Sequence, residues 1–267
     1  MISTVDVNLA VGPDKDVSMV VNSDQSIVAE RPMYFNYRNK WADGHNVVGA
    51  PSPDTTFYFA EGTTRDNAQD GSYEEWLCLQ NANTVQANVD ITYYTATGQT
   101  VAQSVTVPAK TRKTVDVNLK LGPNVDASCE VKSDQPILAE RPMYFDFKGI
   151  WAGGHNVIGC AGPMRAFNFA EGTTRAGFST WVAVMNTSSS NANVTIEYML
   201  SNGTNKKVKV KVAPKQRYTR EVLSDIGADQ DVSIQVSADR DIVVERPMYF
   251  DYHGWASGGS DTLGINL

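Results

Sequence analysis

Residues 30–35 read Glu-Arg-Pro-Met-Tyr-Phe, and the same six-residue string returns at Glu140 and again at Glu245. From residue 30 to 140 is 110 positions, and from 140 to 245 is 105. A second string, Phe-Ala-Glu-Gly-Thr-Thr-Arg, begins at Phe59 and at Phe169, in the same register. Self-similarity at a fixed spacing is the signature of a repeat architecture, so the sequence predicts a unit of about 105–110 residues.

The repeat divides the chain into a partial unit, residues 1–49, and two complete units, residues 50–160 and 161–267. The partial unit carries only the back half of the pattern, which runs from a Val-Asp-Val-Asn string to the Glu-Arg-Pro-Met string. Three back halves therefore share two front halves. We expect either that the chain is a fragment of a longer array or that the odd half pairs with another molecule, because unpaired strand edges favour such pairing.

Short β-branched and aromatic runs, separated by turn residues, fill each unit. Residues 207–212 read Lys-Val-Lys-Val-Lys-Val, an alternation typical of a half-buried strand, and Asn202-Gly203 before them suits a tight hairpin. We predict an all-β fold of tandem immunoglobulin-like β-sandwich repeats with about seven strands per unit. The strands expected in the first complete unit are 57–60, 76–80, 89–95, 101–107, 114–118, 127–131 and 137–145. No run has the apolar spacing of a helix.

Composition excludes several classes of protein. The chain carries 23 basic and 30 acidic side chains, a formal charge of -7, which argues against a nucleic-acid partner. No apolar run reaches about 18 residues, so we expect no membrane span. The three cysteines occupy different positions of the repeat, which argues against a disulfide framework.

Four motifs in a constant order resemble those of a family of secreted bacterial repeat proteins of uncharacterised function. They are Phe-Ala-Glu-Gly at 59–62, Val-Pro-Ala at 107–109, Ala-Glu-Arg-Pro-Met-Tyr at 139–144 and Trp-Ala-Gly-Gly-His at 151–155. The resemblance implies immunoglobulin-like modules in extracellular or cell-surface proteins, often as stalks, and supplies no catalytic residue. The last unit departs from the motifs at Val244 and Ser260. We therefore expect a non-enzymatic structural or adhesive array, a filament or stalk subunit joined by strand or half-domain complementation.

Recurrent glutamate and arginine side chains are the most prominent candidate chemistry. Alternation places Arg31 on the apolar face of its strand, where its charge needs a partner. A carboxylate acid/base site beside an arginine is one interpretation. We favour the other, a structural ion-pair network at the junction of the two halves, because catalytic groups are seldom duplicated in every unit. The residues concerned are Glu30, Arg31, Glu61, Arg65, Glu140, Arg141, Glu171, Arg175, Glu245 and Arg246.

The sequence predicts no metal site and no cofactor. His45 and His155 share a repeat position that we expect to lie in a loop, and they lack ligand partners at zinc spacing. Aspartates in the turns offer Ca²⁺ between modules as an alternative to ordinary turn formation. These aspartates are Asp14, Asp16, Asp24, Asp126 and Asp134.

Tryptophans at 41, 151 and 255 could present an aromatic platform to sugar rings, although aromatics at fixed repeat positions are commonly core residues. Trp41, Trp151 and Trp255 thus support the alternative function, a carbohydrate-binding accessory module of a secreted hydrolase. The partners expected are copies of the chain itself joined head to tail, or surface glycans or proteins.

Overall fold

A computed structural model describes residues 2–266. Strands hold 58% of the residues and helices 5%, so the predicted all-β sandwich class is confirmed. Elements are numbered in chain order. The first group comprises α1 (Val7–Val11), β1 (Glu30–Tyr37) and β2 (Trp41–Val48). The next comprises β3 (Asp54–Phe59), β4 (Asp66–Asn67), β5 (Gly71–Asn81), β6 (Ala87–Thr95), β7 (Thr100–Val107), β8 (Thr111–Asp116), α2 (Val117–Leu121), β9 (Ala127–Phe147) and β10 (Trp151–Ile158). The last comprises β11 (Met164–Phe169), β12 (Phe178–Asn186), β13 (Ala192–Leu200), β14 (Asn205–Val212), β15 (Arg217–Glu221), α3 (Leu223–Ile226), β16 (Val232–Glu245), β17 (Met248–Tyr252) and β18 (Ala256–Ser260).

One 21-residue strand, β9, joins both sheets of the first sandwich. Its first part, up to Ile137, pairs with β3 and β6, and its second part, from Leu138, pairs with β5 and β10. In the second unit β16 pairs with β11 and β13 and then with β12, where β17 continues beside β18. Pro247 lies between β16 and β17, whereas the equivalent Pro32 and Pro142 lie within β1 and β9. The two sandwiches thus share one pairing pattern.

Alternation along the strands places the core between the two sheets of each sandwich. Val89, Ile91 and Tyr93 of β6 are buried, as are Val194, Ile196 and Tyr198 of β13. Burial of such side chains is the main favourable contribution to folding. The expected strand 114–118 is wrong at its end: β8 stops at Asp116, whose carboxylate accepts from the Leu119 N–H at 2.8 Å and begins the helical turn α2.

The N-terminal segment 17–29 forms no strand, although its counterpart, residues 127–139, is part of β9. Val21 is 61% exposed, whereas its counterpart Val131 is fully buried. In the first complete unit, β3 and β6 pair with this part of β9 and cover Val131. Residues 2–49 contain no front-half strands that could cover Val21.

Three β-hairpins of the structure lie side by side: β1–β2, the end of β9 with β10, and β17–β18, with β10 between β2 and β18. Glycines allow the close approach. A Cβ atom at Gly154 would lie 2.8 Å from Cζ of Phe35, and one at Gly259 would lie 2.5 Å from Cζ of Phe145. Among the described residues no helix is long and apolar enough to span a membrane.

Candidate functional site

Arg141, in the second part of β9, is fully buried at the junction between the two complete units. Its guanidinium Nη2 lies 3.0 Å from Oε2 of Glu61, in its own unit. Its Nη1 lies 2.8 Å from Oε2 of Glu245, in the following unit, and Nη2 also donates to the Asp261 carboxylate there. Arg141 Nη1 donates to the Glu61 carbonyl as well. A buried charge needs partners of this kind, so the junction supplies them from both sides.

The Glu245 carboxylate is held by more than the guanidinium. It accepts hydrogen bonds from the backbone N–H of Ala60 at 2.9 Å and of Glu61 at 3.2 Å. Arg217 of the second unit donates back to the Gly62 carbonyl of the first. The Phe-Ala-Glu-Gly string of one unit is therefore a binding site for a glutamate of the next.

The same contact occurs one unit earlier. Arg31 donates from Nη1 to Oε1 of Glu140 at 3.3 Å and from Nη2 to Oε2 at 2.9 Å. Asn156 donates to the same carboxylate at 2.7 Å. In both cases the arginine of one Glu-Arg-Pro-Met-Tyr-Phe string pairs with the glutamate of the following string. Of the predicted residues, Arg31, Glu140, Arg141 and Glu245 are thus ion-paired, each with a partner in a different unit.

The remaining predicted residues have other partners. Glu30 accepts from the Asn46 side chain at 3.0 Å, and Arg65 pairs with Asp126 at 2.6 Å, not with Glu61. Among the other predicted residues, Arg175 forms a salt bridge with Asp231, and Arg246 forms one with Glu171.

The repeated motifs did not indicate Glu75 and Asp261 as neighbours of Arg141. Each is an acidic side chain in one unit only, since Thr180 and Asn156 occupy the matching positions. Burial raises the pKa of Glu75 to about 8 against the opposing effect of Arg141. Burial also raises the pKa of Glu245, with the ion pair to Arg141 opposing and Asp261 reinforcing the rise. Glu75 makes no salt bridge among the described residues, so its raised pKa leaves its carboxyl group protonated at neutral pH, whereas Glu245 is the ion-paired carboxylate.

The histidine prediction was wrong, because His45 and His155 lie in strands β2 and β10, not in loops. His45 packs against Phe35 with ring centroids 5.9 Å apart, and His155 against Phe145 at 5.7 Å. Burial lowers the pKa of His45 to about 4, and that of His155 well below its usual value. Both rings are neutral parts of the hairpin layer.

The five candidate calcium aspartates are not brought together. Asp16 lies 2.8 Å from Arg112, Asp126 pairs with Arg65, and Asp134 accepts from Asn88, while Asp14 and Asp24 are exposed. In the part of the chain that the structure describes, one group of three acidic ligand atoms lies within 4.8 Å, that of Glu61, Glu245 and Asp261. Arg141 contacts all three, so this group is an ion-pair network.

The three tryptophans form no common platform. Trp41 is 2% exposed, Trp151 is half-buried against Phe147, and Trp255 is 76% exposed in a turn. A cleft of about 370 Å³ does lie beside Trp41, but Arg38 and Glu74 in its lining pair with each other at 2.6 Å. The carbohydrate-binding alternative therefore gains no assembled site from these residues.

Comparisons with known proteins identify no family. No family model and no curated protein matches the chain. Among solved structures, the crystal structure of Thermotoga maritima 1070 is similar at 16% identity and a TM-score of 0.36, over 39% of this chain and 96% of that one. The Anabaena sensory rhodopsin transducer is similar at 25% identity and a TM-score of 0.29, over 34% and 97%. Likenesses at these TM-scores indicate no function for this chain.

Replacement of Arg141 by methionine should be strongly destabilising, because three carboxyl groups would lose their buried counter-charge. Breaking a buried pair from one side typically costs about 3–5 kcal/mol. Urea unfolding followed by tryptophan fluorescence measures the free energy of unfolding. Arg165→Met is the matched control, because Arg165 is 68% exposed beside Asp241, and should change stability little. Equal effects of the two substitutions would contradict the assignment.

The pH dependence of stability follows from the raised pKa of Glu75. Its folded-state pKa, about 8, lies above the unfolded value of 4.5, so the folded state binds more protons between these two pH values. The free energy of unfolding should fall as pH rises through this window, by up to about 1.4 kcal/mol per pH unit for this group. The lowered pKa of His45 acts in the opposite direction only below pH 6.5. Unfolding at pH 6.5–8 should therefore show a decline that Glu75→Gln makes shallower, and an unchanged slope would contradict the prediction.

Proposed function

We propose that this protein is a non-enzymatic structural or adhesive array of the cell surface, in which β-sandwich units are held in a fixed order and orientation. The observation that carries the proposal is the repetition of one inter-unit contact, Arg31 with Glu140 and then Arg141 with Glu245. A contact duplicated at successive junctions has the properties of a connector between units. Repeat proteins propagate their shape through such nearest-neighbour interfaces.

Ring stacking supports the same role. Tyr37 stacks on Tyr144 at 4.1 Å and 16°, and Phe147 stacks on Tyr249 at 4.2 Å and 6°. Each stack joins the end of one hairpin to the next hairpin. Aromatic pairs add about 0.5–1.5 kcal/mol beyond the apolar area that they bury. An ion pair and a planar stack together fix both the distance and the rotation between neighbouring units.

Small-angle X-ray scattering tests the mechanical part of the proposal. If the junctions are rigid, the scattering curve of the monomer should fit the complete structure as a single body. Glu245→Gln removes the charge that Arg141 and the Ala60 N–H hold, and should loosen the second junction while each sandwich core stays folded. A wild-type curve that requires two independently moving bodies would contradict the proposal.

The cell-surface location rests on the resemblance to secreted repeat proteins and has its own test. Lys207 and Lys209 are exposed on β14 and accessible to amine reagents. A membrane-impermeant amine reagent added to intact producing cells should label the protein, while a cytoplasmic marker protein stays unlabelled. Labelling that occurs only after lysis would refute the location.

A further inference from the structure

Each internal junction is made by two complementary faces. We call the residues that contact the following unit the outgoing face, and those that contact the preceding unit the incoming face. The outgoing faces comprise Arg31, Phe35 and Tyr37, then Arg141, Phe145 and Phe147. The incoming faces comprise Glu140, Tyr144 and Gly154, then Glu245, Tyr249 and Gly259.

The two junctions agree in detail. Phe35 meets the edge of Tyr144 at 5.1 Å and 87°, and Phe145 meets Tyr249 at 4.9 Å and 88°. The same two phenylalanines also lie against Gly154 and Gly259. One docking geometry is therefore used twice by one chain.

The second complete unit carries a third outgoing face, Arg246, Phe250 and Tyr252. Arg246 is 4% exposed, and its Nη2 donates to the Thr262 hydroxyl at 3.3 Å, whereas Arg141 donates to the carboxylates of Glu245 and Asp261. Its nearest carboxylate, Glu171, is 3.6 Å away. Burial lowers the pKa of Arg246, whereas the carboxylates around Arg141 raise that of Arg141 despite its burial. The guanidinium of Arg246 is thus positioned to bind a second carboxylate, as the guanidinium of Arg141 binds Glu245.

The backbone beside Arg246 also matches a carboxylate site. Ala170 and Glu171 occupy the repeat positions of Ala60 and Glu61, whose N–H groups bind Glu245. Ala60 and Glu61 are buried by the following unit, whereas Ala170 and Glu171 are exposed. The two repeat positions that bind a glutamate in the first complete unit are therefore exposed to solvent in the second complete unit.

The partial unit, residues 1–49, carries a further incoming face, which is exposed. Glu30 is exposed, and Tyr34 is 86% exposed, whereas its counterpart Tyr249 is 4% exposed. Gly44 completes the face at the position of Gly154 and Gly259. Glu30 and Tyr34 belong to the same six-residue string that supplies both internal incoming faces, so residues 2–266 carry one outgoing and one incoming face that do not meet each other in the structure.

We infer that the outgoing face of one chain binds the incoming face of a second copy, with Arg246 on Glu30 and Tyr252 on Tyr34. This self-association rests on the proposed function, since it extends the array by its own junction. The two faces are different surfaces, so the interface is heterologous. Contacts of this kind generate open chains unless the rotation closes a ring.

Sedimentation velocity at rising concentration tests the inference on the full chain. The wild-type sedimentation coefficient should increase with concentration. The variant Glu30→Lys with Tyr34→Ala should weaken association at least about 30-fold, because it places a cation against Arg246. Both positions are exposed, so folding should be unaffected. Asp241→Lys, a charge reversal at a carboxylate that is 61% exposed outside both faces, is the control and should associate like the wild type.

Mixing adds a sharper readout. The Glu30→Lys, Tyr34→Ala chain keeps its Arg246 face, so it should bind one wild-type chain and then stop growth, which shortens wild-type oligomers. A wild-type protein that stays monomeric, or an association that this variant leaves unchanged, would overturn the inference. If the monomer still scatters as a single rigid body, only the self-association fails. If the monomer scatters as two bodies, the proposed function fails with it.

Discussion

The structure depends on the neutralisation of one buried guanidinium. Arg141 has no exposed surface, and a charge in such a place is stable only when counter-charges and hydrogen bonds surround it. Neither unit provides these alone: Glu61 comes from the unit of Arg141, and Glu245 and Asp261 come from the next. The two sandwiches, which also make apolar contact at Ala60 and Tyr94, are therefore coupled through a charge that both must share.

The first junction shows the same contact with less burial. The side chain of Arg31 is 33% exposed and that of Arg141 is 0% exposed. The difference follows from the sequence, because residues 2–49 contain no Phe-Ala-Glu-Gly string to cover the guanidinium as Glu61 and its neighbours cover Arg141. The first junction has the ion pair and the aromatic stack although it lacks that string, so the hairpin residues alone are sufficient to make the contact between units.

Local patterns predicted the strands well, and the junction poorly. Alternation at 207–212 located β14, and the inward position of Arg31 required an ionic partner. Identical strings, however, do not tell which copy supplies the partner, so the pairing across units was not foreseeable. Residues 132–136 have the composition of a turn, yet β9 continues through them, because that stretch passes from one sheet to the other. Features present in one unit only, such as Glu75, gave no repeat signal at all.

Amide hydrogen exchange tests the shared-charge junction most directly. In the monomer the N–H groups of Ala60 and Glu61 donate to Glu245, whereas those of Ala170 and Glu171 lie on an exposed segment. We expect slow exchange at Ala60 and Glu61, fast exchange at Ala170 and Glu171, and loss of the difference in Glu245→Gln. Equal exchange at the two pairs of amides in the wild-type monomer would contradict the account.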